Sequence, residues 1–153
     1  MKRILKIAFI SGLVCNSIIS SSQTTGDYRS VATGNWNVVT TWQYYNGVAW
    51  VAASATPNNT DGVITIQSPN TVSIPAVLTI DQTIINVGAT VQTTAGIVLT
   101  INNGTGVDLT VNGTFIDGSS SSIVWNATTT WLMGASGNLI KTTASCSNCW
   151  QTD

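Results

Sequence analysis

Apolar and polar positions alternate in short runs along the second half of the chain. From Val63 onward each run holds three to five residues, and turn residues such as Gly, Pro, Asn and Asp separate it from the next. Alternation with a period of two is the pattern of a β-strand that buries one face. No segment after residue 22 repeats with the helical period, so no sizeable helix is expected. The predicted strands cover residues 63–66, 71–74, 77–80, 83–87, 89–93, 97–101, 107–111, 114–116, 123–125, 130–133 and 138–141.

Two all-β architectures fit these short strands. A β-sandwich would use hairpins, and Asn112-Gly113 and Asp117-Gly118 are favoured dipeptides of tight hairpin turns. A parallel β-solenoid would stack the apolar row of each turn on the next, with ladders of Asn and Thr. The strands are short for a sandwich, and the phrase at 99–104 recurs at 109–113. The sequence therefore predicts a short-strand parallel β-solenoid of the right-handed β-helix type, with the β-sandwich as the alternative.

The first 22 residues have a different pattern. Three basic residues in the first six positions precede an apolar stretch at 7–19, and Ser20 to Ser22 supply small side chains. This order predicts a signal peptide cleaved before Gln23, with lipoprotein processing at Cys15 as a second possibility. The apolar stretch is too short and too polar for a membrane span, and no later segment is long enough. The chain is therefore predicted to be secreted, either extracellular or on the outer cell surface.

Removal of this leader changes the charge of the chain. Two basic residues, Arg29 and Lys141, and six Asp remain after residue 22, which gives a side-chain charge of −4. So acidic a chain is not expected to bind nucleic acid or anionic membranes. The sequence contains no His and no Glu, which removes the usual general base and the commonest metal ligand. We therefore expect no enzymatic activity and no cofactor.

Aromatic residues are concentrated in the segment 23–62, which is predicted to be an N-terminal cap and loop before the rungs at 63–153. Trp36, Trp42 and Trp50 are its largest side chains. Flat rings could stack on sugars, which makes these three the candidate ligand contacts. Alternatively, the rings could plug the open end of a solenoid, since aromatic side chains bury a large apolar area.

The remaining candidate chemistry lies in cysteine and aspartate residues. Cys146 and Cys149 form a Cys-x-x-Cys motif, for which an exported chain favours a disulfide over free thiols or a redox or metal role. A zinc site needs four ligands, and too few remain after residue 22. Aspartates beside predicted turns could bind calcium, but turn Asp usually bonds its own backbone, so no metal site is predicted. These aspartates are Asp61, Asp81, Asp108 and Asp117.

The segment from Tyr28 to Gly118 resembles a known kind of module. Its Gly34-Asn35-Trp36 opening, its Thr41-Trp42 pair and its later Leu-Thr-Val-Asn-Gly phrase are similar to the N-terminal module of large secreted Bacteroidetes surface proteins. Those proteins often end in a type IX secretion sorting domain. The same order is loosely similar to the eight-glycine domain of some eukaryotic extracellular proteins.

This resemblance implies the start of a right-handed β-helix on a surface-associated, adhesin-like protein, and it supplies no catalytic residue. The sorting domain is missing before Asp153, so the rungs are expected to be incomplete at the C-terminus. The predicted function is a non-catalytic structural or adhesin-like surface module, the N-terminal part of a larger secreted protein. The alternative is a carbohydrate-binding module or the remnant of a β-helix polysaccharide-active enzyme. The expected partners are surface glycans or other domains of the same protein.

Overall fold

A computed structural model describes residues 22–118 and 120–142, and in these ranges the chain winds through three β-sheets. The predicted leader, apart from Ser22, and the predicted disulfide between Cys146 and Cys149 lie outside the described residues. A single turn of 3₁₀-helix, Val39–Thr41, interrupts the strands. In chain order the strands are β1 Tyr28–Ser30, β2 Gly34–Asn35, β3 Trp42–Tyr45, β4 Trp50–Ala52, β5 Ile64–Ile66, β6 Thr71–Ile74, β7 Leu78–Ile80, β8 Thr83–Ile85, β9 Thr90–Thr93, β10 Val98–Ile101, β11 Leu109–Val111, β12 Thr114–Asp117, β13 Ser122–Trp125, β14 Trp131–Met133 and β15 Asn138–Lys141.

From β5 onward, each full turn of the chain contributes one strand to each sheet. The first sheet has the order β14-β11-β8-β5-β1-β3-β4, the second β15-β12-β9-β6-β2 and the third β13-β10-β7. All pairings between successive turns are parallel, and the antiparallel pairings are those of β3 with β1 and β4. The prediction of a short-strand parallel β-solenoid is therefore confirmed over the alternative of a β-sandwich.

Buried side chains form continuous rows inside the solenoid. On the second sheet Val72, Val91, Phe115 and Leu139 follow one another in register on β6, β9, β12 and β15. The first three of these side chains are almost completely buried. Burying one such apolar side chain stabilises the fold by about 1.5–3 kcal/mol. Stacking of like on like along these rows is therefore the main apolar contribution to stability.

The corners between sheets do not form hairpins. Asn112-Gly113 joins β11 to β12, which belong to different sheets, so this dipeptide turns a corner rather than closing a pair of strands. A Cβ atom at Gly113 would overlap the carbonyl oxygens of Asn86 and Ala89 in the previous turn. Glycine is required here because the backbones of successive turns approach closely.

The repeated phrase at 99–104 and 109–113 is not a pair of stacked strands. Its two strands, β10 and β11, lie in different sheets, so the two copies of the phrase do not stack on each other. Ladders of like residues do form elsewhere. The Asn126 amide donates to the Asn102 side-chain oxygen at 2.7 Å, and Thr79 pairs in register with Thr100.

Candidate functional site

The N-terminal end of the solenoid is closed by two tryptophans. Trp36 and Trp42 are 2% and 1% exposed, and their rings pack edge to face with centroids 4.8 Å apart. The Trp36 indole N–H donates to the Pro57 carbonyl at 2.7 Å, and that of Trp42 donates to the Trp36 carbonyl at 2.8 Å. Rings buried and bonded in this way offer no face to a sugar. The structure thus favours the end plug over the stacking platform for Trp36 and Trp42.

A hairpin extends the first sheet outward from this plug. Strand β3 pairs antiparallel with β1, while β5 pairs parallel with the other side of β1. The Asn46 side-chain oxygen accepts hydrogen bonds from the backbone N–H groups of Val48 and Ala49, which closes the turn between β3 and β4. As a result, Trp50 on β4 and Arg29 on β1 lie on the same outer face of the sheet.

Arg29 and Trp50 form one wall of a surface groove of about 250 Å³. The guanidinium carbon of Arg29 lies 4.4 Å from the centre of the Trp50 ring, a cation–π contact. Its Nε and Nη2 atoms both donate to the Gln43 side-chain oxygen, at 2.9 and 2.7 Å. Tyr45 packs against Trp50 with ring centroids 5.3 Å apart. The groove is lined by Gln23, Asp27, Arg29, Trp50, Val63, Thr65, Gln67, Ile84 and Asn86.

Arg29 is the cationic side chain among the lining residues of this groove. Asp27 also lines the groove, but its carboxylate oxygens accept hydrogen bonds from the backbone N–H groups of Thr24 and Val63. Within residues 22–118 and 120–142 the single ion pair joins Lys141 to Asp117, so Arg29 has no carboxylate partner there. The alternation in β1 would have placed Arg29 on the outer face. Its proximity to Trp50 and to the amides of the groove depends on non-local pairing that the alternation does not encode.

Asp81 and Asp108 lie at the same corner, between the third and the first sheet, in two successive turns of the solenoid. Burial, and after it a hydrogen-bonding interaction with Asp108, raises the pKa of Asp81. Burial also opposes the charge on Asp108, but backbone N–H groups of Thr130 and Gly104 donate to it and lower its pKa. No group of three or more His, Cys, Asp or Glu side chains forms anywhere in the described ranges. Asp108 links its own corner to the next turn through its hydrogen bonds with Gly104 and Thr130, while Asp117 lies in a separate cluster.

Asp117 lies in an interior polar cluster rather than in a solvent-exposed turn. Its carboxylate pairs with Lys141 on the neighbouring strand and accepts from the hydroxyl of Ser121, while the Thr93 hydroxyl lies 3.4 Å away. The Gly118 N–H donates to the Thr93 hydroxyl at 2.7 Å. Every buried side-chain nitrogen and oxygen among the described residues has a partner. Because these hydroxyls are buried and already bonded, the cluster is a structural feature with no free nucleophile.

The last described turn differs from the turns before it. Trp131 on β14 follows Leu109 of β11 in the interior row, yet Trp131 is 40% exposed and Leu109 only 4%. Met133 and Leu139, which continue two other interior rows, are half-buried. No further strand of the described residues pairs with β13, β14 or β15 on their outer side. The interior rows therefore end in partly exposed apolar side chains in the last described turn.

Comparison with protein-family models, with curated proteins and with solved structures finds no match for this chain. Over the ranges that the structure covers, no helix has the length and apolar character needed to cross a membrane. The function is therefore inferred from the ends of the solenoid and from its groove.

Proposed function

We propose that this chain is a non-catalytic structural module of a secreted or cell-surface protein, the capped start of a β-solenoid on which further rungs stack. The observation that carries the proposal is the contrast between the two ends. Trp36 and Trp42 close one end, whereas Trp131 and its half-buried neighbours leave the interior rows open at the other.

An open solenoid end is unfavourable in water for two reasons. Its interior rows expose apolar side chains, and its last strands present unpaired backbone groups that can pair with another strand. One more rung would remove both costs, because it would bury Trp131 and would pair with β14 and β15. Further rungs of the same polypeptide are the simplest partner, because they continue the same interior rows in register.

Export and lack of catalysis belong to the same proposal. The basic and apolar leader supports secretion. Without His and Glu, the chain lacks two of the side chains that enzymes most often use as general acids and bases. The alternative function, a carbohydrate-binding module with Trp36, Trp42 and Trp50 as contacts, loses two of its three rings to the plug. Trp50 remains at the surface groove.

The open end can be tested with a dye for apolar surface and one substitution. We expect the processed chain to bind 1-anilinonaphthalene-8-sulfonate and to self-associate with rising concentration in sedimentation runs. Trp131→Lys should reduce both effects several-fold while the far-ultraviolet circular dichroism stays unchanged. Val48→Lys, at an exposed position in the cap hairpin, is the matched control and should change neither. A monomer that binds no dye, or loss of folding in Trp131→Lys, would contradict the open end.

Export has its own measurement. Cells that express the full chain should release a protein that begins at Gln23, as determined by intact mass. Retention in the cells with Met1 in place would contradict the extracellular part of the proposal.

A further inference from the structure

We propose that the groove beside Arg29 and Trp50 binds the carboxylate of an acidic sugar, such as a uronate residue of a polysaccharide. This inference goes beyond the structural role and does not depend on it. The groove lies on the outer face of the first sheet, near the plugged end of the solenoid.

Arg29 is held ready for a planar anion. Stacking on Trp50 and two hydrogen bonds to Gln43 fix the plane of its guanidinium group. A guanidinium has five N–H donors in a rigid fork that matches a carboxylate. Gln43 takes two of them, and the other three have no partner among the described residues. Little side-chain entropy would therefore be lost when a carboxylate binds.

An anionic group would be attracted to Arg29 itself and not to the groove as a whole, because the lining also contains the Asp27 carboxylate. Arg29 has no ion-pair partner within the described ranges, and the Asp27 carboxylate is held by backbone N–H groups. The chain as a whole is acidic after residue 22, so its overall field does not attract anions. Recognition would rest on the local fork of charge-assisted hydrogen bonds, which are the stronger kind.

The rest of the lining suits a sugar ring. Arg29, Thr65 and Ile84 are register neighbours on β1, β5 and β8. Adjacent strands lie about 4.8 Å apart, so this row extends about 10 Å along the groove. Gln67 and Asn86 add side-chain amides that can bond sugar hydroxyls, and Ile84 adds an apolar surface. The volume of about 250 Å³ lies just below the usual range for drug-sized ligands, which fits one ring rather than a long segment.

The test is titration calorimetry of the processed chain with trigalacturonate and, in parallel, with neutral galactotriose. We expect measurable binding of the uronate, at least tenfold weaker binding of the neutral sugar, and weakening by added salt. Arg29→Gln should weaken uronate binding at least tenfold, and Arg29→Lys should restore part of it. The lysine keeps the charge but not the fork.

Two further variants separate binding from folding. Asn86→Ala removes an amide from the groove lining, and the Asn86 side chain makes no hydrogen bond to the described residues. This variant should weaken uronate binding several-fold with an unchanged melting temperature. Thr110→Ala, on the same outer face one strand beyond Ile84, is the matched control and should bind as the parent does. The proposal is overturned if trigalacturonate does not bind, if galactotriose binds equally well, or if neither Arg29→Gln nor Asn86→Ala changes the affinity. Equal binding of a peptide through its terminal carboxylate would overturn the assignment of the ligand as a sugar.

Discussion

Replacement of Lys141 by Met tests whether the ion pair inside the solenoid is an interior or a surface interaction. Asp117 and Lys141 are register neighbours on β12 and β15. The side chain of Asp117 is completely buried, and that of Lys141 is 18% exposed. Methionine keeps most of the apolar stem of the lysine and removes the ammonium group. The substitution therefore leaves a buried carboxylate with only hydroxyl and backbone partners.

The expected cost follows from the burial of Asp117. Removing one partner of a buried ion pair typically costs about 3–5 kcal/mol, because the other charge is left uncompensated. Asp117 would retain the hydroxyls of Ser121 and Thr93, which compensate its charge only in part. Asp117→Asn should cost less, about 1–3 kcal/mol, because the Lys141 ammonium can reach solvent. We therefore predict the size of each loss of stability and also their order, with Lys141→Met more destabilising than Asp117→Asn.

Urea unfolding followed by circular dichroism measures these differences on the processed chain. The double variant Asp117→Val with Lys141→Met replaces the pair by apolar side chains. It should lie within about 1–2 kcal/mol of the parent, because an apolar pair of similar volume removes the desolvation cost of both charges. The coupling between the two positions should therefore be strong and should change little with salt.

Two results would refute this account. One is a cost below about 1 kcal/mol for Lys141→Met, which is the size expected of a surface ion pair. The other is a double variant that is less stable than the sum of the single costs predicts. The first result would mean that Asp117 is hydrated in solution, and the second would mean that the two side chains do not stabilise each other.

Three further predictions concern the corners and the cap. Burial raises the pKa of Asp81, so its contribution to stability is present at low pH and is lost as the pH rises through that pKa. Asp81→Asn should therefore raise the free energy of unfolding at a pH of about 8 but not at a pH of about 3. An equal effect at both pH values would contradict the raised pKa of Asp81. Gly106→Ala, in open space at φ +94°, should cost about 1–2 kcal/mol, and Gly113→Ala should cost more by the same urea assay, because its Cβ meets the previous turn. Trp42→Ala should cost about 3–5 kcal/mol and Trp50→Ala less than half of that, because only Trp42 is fully buried; the reverse order in thermal melts would contradict the plug.

The positions of the strands could be predicted because each strand buries one face. The predicted strands at 71–74 and 138–141 have the same bounds in the structure, and each of the others differs by one or two residues at one end. Alternation is a local property, so it survives any choice of partner strand. The plug could also be predicted as one of two alternatives, since a dense group of aromatic residues before the first rung has few other uses.

The partners of individual side chains could not be predicted in the same way. Asp117 was expected to bond its own turn, but its charge is paired with a lysine 24 residues later. Arg29 meets Trp50 only because β3 and β4 fold back antiparallel beside β1. In both cases the contact depends on which strands are neighbours, and an alternating pattern is the same for parallel and antiparallel pairing.

The spacing between stacked residues explains why no clear repeat is visible in the sequence. Ile64, Thr83, Leu109 and Trp131 occupy one interior row, although successive members are 19, 26 and 22 residues apart. The corners absorb these differences, because extra residues there extend into solvent and leave the ladder hydrogen bonds unchanged. An extra residue inside a strand would instead move every following side chain of that strand to the other face. Register in this solenoid is therefore held by the buried rows, while the length of a turn is free to vary, and a search for a fixed period misses the repeat.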